Sequence, residues 1–188
     1  MTEAGPCSLN GRGAPSYHVR SRLCTPVWLR AFDYTGEHRY SFTLCTERRC
    51  AILTTAQVID PILSHILHAG AAEHIAVAAY CFMPDHVHVM ALGRSPLSDA
   101  RRFIAKAKQL SGFHYQRAAG QRLWQRYSWD RVLRTDEQTM DVICYILENP
   151  VRAGLVRHPL EYPFSGSATY TKDALVSAFD ARSRGRAR

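Results

Sequence analysis

Two short stretches of this 188-residue chain carry side chains that could do chemistry. The first is His86-Val87-His88. On a β-strand, residues i and i+2 point to the same face. The two imidazoles would then lie side by side while Val87 and Val89 face the core. Paired imidazoles can hold a divalent metal, but a structural pair has the same pattern, and the pair alone does not decide. The second stretch is Tyr145-Ile146-Leu147-Glu148-Asn149-Pro150. On a helix Tyr145 and Asn149 are i and i+4 and share a face, with Glu148 close by. Val142, Ile143, Ile146 and Leu147 around it are apolar. On that ground alone Tyr145 reads as a core residue with a satisfied hydroxyl, and Asn149-Pro150 as a helix stop.

Familiar histidine-pair chemistries can be weighed against the chain. An amidohydrolase barrel needs about 250 residues. A metallo-β-lactamase would continue with Asp and His, whereas Met90-Ala91-Leu92 follows here. The repeated His-x-Thr or His-x-Ser of double-histidine phosphoesterases does not occur.

The elements that would position these residues follow from periodicity. Residues 39–46 alternate Tyr40, Phe42 and Leu44 on one face, a half-buried strand. Residues 57–69 place Val58, Ile62, Ile66 and Ala69 at helical spacing, with Thr55 as N-cap. Residues 74–81 form an apolar strand, Pro84-Asp85 a turn, and 87–92 the returning strand. Residues 97–118 read as a long helix opened by Ser98, with Phe103, Ala107, Leu110 and His114 on one stripe. Residues 123–133 read as a bulged strand or irregular segment, and 137–148 as a helix that stops before Pro150. The order β-α-β-β-α-β-α, with helices on one face of an antiparallel sheet, predicts a ferredoxin-like α+β sandwich. Residues 1–30 read as a flexible arm, 31–170 as the domain, and 171–188 as a disordered basic tail.

Composition narrows the partner. The net charge is +8, carried by 21 Arg and only 3 Lys, and the sequence pI is about 9.4. Arginine suits bidentate phosphate contacts and stacking on bases, so a polyanion is the expected partner. Residues 94–134 hold ten Arg or Lys against two acids, while 31–93 and 135–170 are each −3. Within this strip Arg101, Arg102, Lys106, Lys108, Arg122, Arg126, Arg131 and Arg134 are the candidate DNA contacts, with Trp124, Tyr127 and Trp129 between the last four. Such interleaving suits single strands, whose bases can stack on aromatic rings. For at least one of the two tryptophans, core packing is the plainer expectation. The longest apolar run, residues 75–83, is too short to span a bilayer, and the first residues lack the apolar stretch of a secretory signal. The expectation is a soluble, cytoplasmic protein whose six cysteines are free thiols.

Taken together, three blocks resemble the signatures of single-tyrosine HUH transposases of the IS200-like type, closest to REP-associated tyrosine transposases. They are residues 82–88, residues 145–156, and Tyr162-Pro163-Phe164-Ser165, in the family's order and spacing. The family's fold is the sandwich already read. The resemblance implies that His86, His88 and Asn149 hold a divalent metal, Mg²⁺ or Mn²⁺, and that Tyr145 is the nucleophile. Glu148 is the alternative third ligand. The implied reaction cleaves and rejoins single-stranded DNA at hairpins through a 5′-phosphotyrosine. Two rivals are a hairpin-binding protein that has lost cleavage and a metal-dependent nuclease that uses water. Monomer and homodimer are both open. Gly166 departs from the family pattern, which commonly has a second Ser there.

Overall fold

The computed structural model describes residues 32–134 and 137–186; the arm read at 1–30 lies outside them. The chain runs β1 (Arg39–Cys45), α1 (Ala56–Ala72), β2 (Ile75–Met83), β3 (His86–Gly93), α2 (Ala100–Ala119), β4 (Trp129–Val132), α3 (Thr139–Leu147), α4 (Asn149–Arg152), β5 (Ser165–Gly166) and α5 (Lys172–Arg186). The strands form one antiparallel sheet in the order β4-β1-β3-β2-β5. This is the α+β sandwich that the periodicity predicts.

Alternation along the strands sorts two cores. Tyr40, Phe42, Leu44, Val87, Val89 and Phe82 pack with Ile59, Ile62, Ile66 of α1 and Phe103, Ile104, Ala107 of α2. Full burial of one such side chain contributes about 1.5–3 kcal/mol. On the opposite face Ala79, Cys81, Met83 and Met90 pack with Ile143, Cys144, Ile146 and Leu147 of α3 and with Leu175 and Phe179 of α5. The reading of helices on one face holds for α1 and α2; α3 and α5 add a second layer that periodicity within the strands did not announce.

Three local readings are corrected. The tail read as disordered is helical from Lys172, because Leu175 and Phe179, at i and i+4, bury against α3. Helix α2 is capped by Asp99, whose carboxylate accepts from the Arg102 N–H at 2.9 Å. Ser98 instead accepts from the amides of Arg94 and Ser95 and donates to the His74 carbonyl. The buried stripe of α2 runs through Phe103, Ile104, Ala107 and Ser111, leaving His114 exposed. Ser111 is drawn inward because its hydroxyl accepts the indole N–H of Trp124 at 2.9 Å.

Two glycines are required by close approach. A Cβ on Gly93 would lie 2.0 Å from the Gly36 carbonyl oxygen, and one on Gly166 would lie 2.9 Å from the Tyr80 hydroxyl. The departure at Gly166 therefore has a packing reason: the Tyr80 ring fills the space a serine would use. Cys45, Cys50, Cys81 and Cys144 are free thiols, and burial pushes Cys81 up to about 12. Among the described residues no helix is long and apolar enough to cross a membrane.

Candidate active site

Strand β3 presents His86 and His88 on the face that α3 covers, alternating with Val87 and Val89 in the opposite core. Their Nε2 atoms lie 3.0 Å apart. Each ring is held at its other nitrogen. The Asp85 carboxylate sits 2.6 Å from His86 Nδ1, and Arg49 Nε sits 2.9 Å from the same carboxylate. Burial opposes ionisation of Asp85, but the His86 hydrogen bond and the His86 and Arg49 charges outweigh it and hold the carboxyl below its ordinary value. The ionised Asp85 carboxylate orients the His86 ring through Nδ1 and leaves Nε2 facing His88. Thr43 Oγ1 lies 3.0 Å from His88 Nδ1. Burial, then the charges of His86, Arg152 and Arg49, push His88 down to about 3, so it is neutral at physiological pH. The two Nε2 atoms converge on one spot, the place a divalent ion would take.

Tyr145 stands on α3, which packs over β2 and β3. Its apolar neighbours suggest a core tyrosine, yet it is 58 % exposed. The helix buries Ile143, Cys144, Ile146 and Leu147, and the tyrosine falls on the remaining stripe. It borders an open groove of about 460 Å³ with Arg131, Asp141, Val142 and Arg182.

Both candidate third ligands are engaged by neighbours on their own helix end or on α5. Asn149 donates to the Ile146 carbonyl at 2.9 Å and accepts from Arg152 Nη2 at 2.8 Å. The Glu148 carboxylate faces Arg152 at 3.6 Å and Arg182 at 3.8 Å. Among the described residues no three His, Cys, Asp or Glu side chains cluster as a metal site. The paired imidazoles suit a divalent cation that tolerates nitrogen. The amide oxygen of Asn149 suits the third position chemically, once Arg152 releases it.

The cationic strip divides. Lys106 and Arg102 both pair with Glu73 at the end of α1, the latter at 3.3 Å. Lys108 donates to the carbonyls of Gln125 and Arg126, and Arg101 lies over the Tyr34 ring at 4.6 Å. These four α2 cations thus tie the fold together, on the sheet face opposite the histidines. Arg122, Arg126 and Arg134 are exposed; Arg126 lies 5.4 Å over the Tyr127 ring. Arg131 alone of the eight joins Tyr145 at the groove, and it also pairs with Glu137 at 2.6 Å.

The tryptophans divide as well. Trp124 is 5 % exposed and bonded to Ser111, whereas Trp129 is 44 % exposed. Trp129 pairs with Thr43, Thr43 with His88, and His88 with Cys81. Directly paired residues share a face, so Trp129 stands in the same row as His88. Sequence reasoning passed over Arg182 and Arg152. Their only signals were the i, i+4 apolar pair that makes α5 a helix, and the two-turn spacing of Arg152 from Tyr145.

Comparison with known proteins supplies the family. A sequence family described as Transposase IS200 like matches residues 34–149, more than half of the chain. A REP-associated tyrosine transposase of Haemophilus influenzae is 26 % identical over 150 residues, covering 71 % of this chain and 81 % of that protein. The solved structure of a REP-associated tyrosine transposase bound to a REP hairpin superposes with a TM-score of 0.59 at 22 % identity, over 72 % of this chain and 79 % of the other. That likeness speaks for the fold. The span of the family match includes β3 with its histidines and α3 with its tyrosine, and the chain belongs to the IS200-like transposase family.

Proposed function

We propose that the protein is a metal-dependent tyrosine transesterase that binds, cleaves and rejoins single-stranded DNA at hairpins. One observation carries the reading: an exposed tyrosine on α3 borders a groove over the same sheet face on which two Nε2 atoms converge. Tyr145 Oη attacks phosphorus in line, the bond from phosphorus to the 3′ oxygen breaks, and the leaving oxygen takes up a proton. The product is a 5′-phosphotyrosine and a 3′-hydroxyl that can reseal the strand. A phenol with a free pKa of about 10 needs help to lose its proton. Mg²⁺ or Mn²⁺ held by His86, His88 and Asn149 would supply Lewis acidity toward the phosphate oxygens. The chain's own part is preparation. Asp85 and Thr43 orient the imidazoles, and burial keeps His88 neutral. Trp129 offers a ring for an unstacked base, and Arg131 a cation for the backbone.

The test is a covalent adduct. Incubation with single-stranded hairpin DNA and Mn²⁺ should yield a denaturant-stable protein–DNA species mapping to Tyr145 and absent in Tyr145→Phe. An adduct that persists in that variant, or maps elsewhere, overturns the assignment. Cleavage without an adduct would favour a nuclease using water, and hairpin binding with neither would favour a binding protein.

A further inference from the structure

Arg152 touches more of this site than any residue assigned to it so far. Its guanidinium carbon lies 4.1 Å from the centroid of the Tyr145 ring. Nη2 donates to the Tyr145 carbonyl at 2.9 Å and to Asn149 Oδ1 at 2.8 Å. Its charge also reaches His88 on β3 and Cys81 on β2. The seven-residue step from Tyr145 is two helical turns, and α4 follows α3 through a helical Glu148. The guanidinium is therefore fixed against the tyrosine ring and the Asn149 side chain.

Its two nitrogens are engaged unequally. The protons of Nη2 are spent on the helix end. Nη1 has the Glu148 carboxylate at 3.6 Å, beyond ordinary hydrogen-bond length. The side chain is 40 % exposed, so that edge is open to a ligand. Glu148 also has Arg182 at 3.8 Å, so its charge keeps a partner if Arg152 turns away. An arginine clamped at one edge and loosely paired at the other is preorganised for an anion at the loose edge.

We propose that the Nη1 edge of Arg152 binds a non-bridging oxygen of the phosphodiester that Tyr145 attacks. The proposal rests on Tyr145 being the nucleophile and adds the group that holds the phosphate against it. Arg152 stays protonated throughout and exchanges Glu148 for phosphate. Tyrosine oxygen bonds to phosphorus, the 3′ oxygen leaves, and the guanidinium offsets charge on the oxygens that do neither. Such positioning accounts for most of what a protein contributes to phosphoryl transfer.

The test uses the full chain, Mn²⁺, and two oligonucleotides: a hairpin alone, and the same hairpin with a single-stranded extension through the cleavage position. Arg152→Gln should slow adduct formation about 100- to 1000-fold, the cost of removing one transition-state donor. Arg152→Lys should retain part of the rate, and added guanidinium ion should restore part of it to Arg152→Ala. Binding gives a readout that needs no catalysis. On the extended oligonucleotide, Arg152→Gln should lower the slope of log affinity against log salt by about 0.7, one single-strand phosphate contact. On the hairpin alone the slope should not move. Adduct formation at the wild-type rate with an unchanged slope overturns the proposal. So does an equal loss on both oligonucleotides without guanidinium rescue, which marks a purely structural arginine. If wild-type protein forms no adduct, the tyrosine reading fails, and the slope on the extended strand still decides whether Arg152 meets phosphate.

Discussion

Both faces of the sheet carry cations and aromatic rings, yet they use them in opposite ways. Under α1 and α2, rings stack inward (Tyr34 on Tyr40 at 5.7 Å, Tyr40 on Phe42 at 5.7 Å) and the cations of α2 are spent on Glu73, on backbone carbonyls and on Tyr34. Across the sheet, Tyr145 and Trp129 are exposed, two imidazoles converge, and Arg131 lines a groove. The lesson concerns charge. A run of arginines marks a nucleic-acid surface only where the guanidiniums still have an edge to offer. Four of the eight cations read as DNA contacts had already been consumed by the structure.

The sharpest way to break the comparison is to disable one face chemically. His86→Ala and His88→Ala should each reduce adduct formation by more than about 1000-fold while hairpin affinity stays within a few fold, measured by gel shift beside the cleavage assay. Cleavage at the wild-type rate in excess metal would make the pair structural. Asn149→Ala should be more damaging than Glu148→Ala, and the reverse order would move the ligand by one residue.

The tryptophans test the contrast directly. Trp124→Ala should cost about 3–5 kcal/mol of stability, seen as a lowered denaturation midpoint, because it empties a packed site and removes the indole hydrogen bond to Ser111. Trp129→Ala should leave that midpoint nearly unchanged and weaken single-stranded DNA binding by about 1–3 kcal/mol. If both variants lose only stability, the exposed face is not a stacking surface.

Among the cations, Arg131→Ala should lower the salt slope of DNA binding by about 0.7, while Lys106→Ala should leave it unchanged and lower thermal stability. Equal slopes would return DNA to the α2 surface. The last contrast is in stability against pH. His88 is held at about 3, below the ordinary histidine value of 6.5. Below pH 6.5 the unfolded chain binds a proton that the folded chain refuses, so stability is full above 6.5 and falls as pH drops from there toward 3. His88→Gln should flatten that part of the melting-temperature profile. A variant with the wild-type slope would assign the acid sensitivity elsewhere.

Much of the site was legible before any coordinates because its logic is local. A strand sets His86 and His88 on one face by its two-residue period, and a helix sets Tyr145 above Asn149 by its four-residue step. The same periods predicted the first three strands, the first three helices and hence the sandwich. Reading failed where the deciding neighbour was distant in sequence. Tyr145 looked like core because apolar residues flank it, but exposure depends on which stripe of α3 meets β2 and β3. The tail looked disordered because its arginines alternate, although Leu175 and Phe179 needed only α3 to bury against.

What the sequence by itself determined is the inventory and its local phase: paired imidazoles, a tyrosine four residues before an asparagine, and strands and helices in ferredoxin-like order. Only the tertiary structure decided which cations remained available, which tryptophan faced outward, and where Arg152 points. Those outcomes turn on partners outside the element's own period, such as Glu73 for Lys106 and Ser111 for Trp124. A local period fixes direction within one element, but pairing and burial are set by the element packed against it.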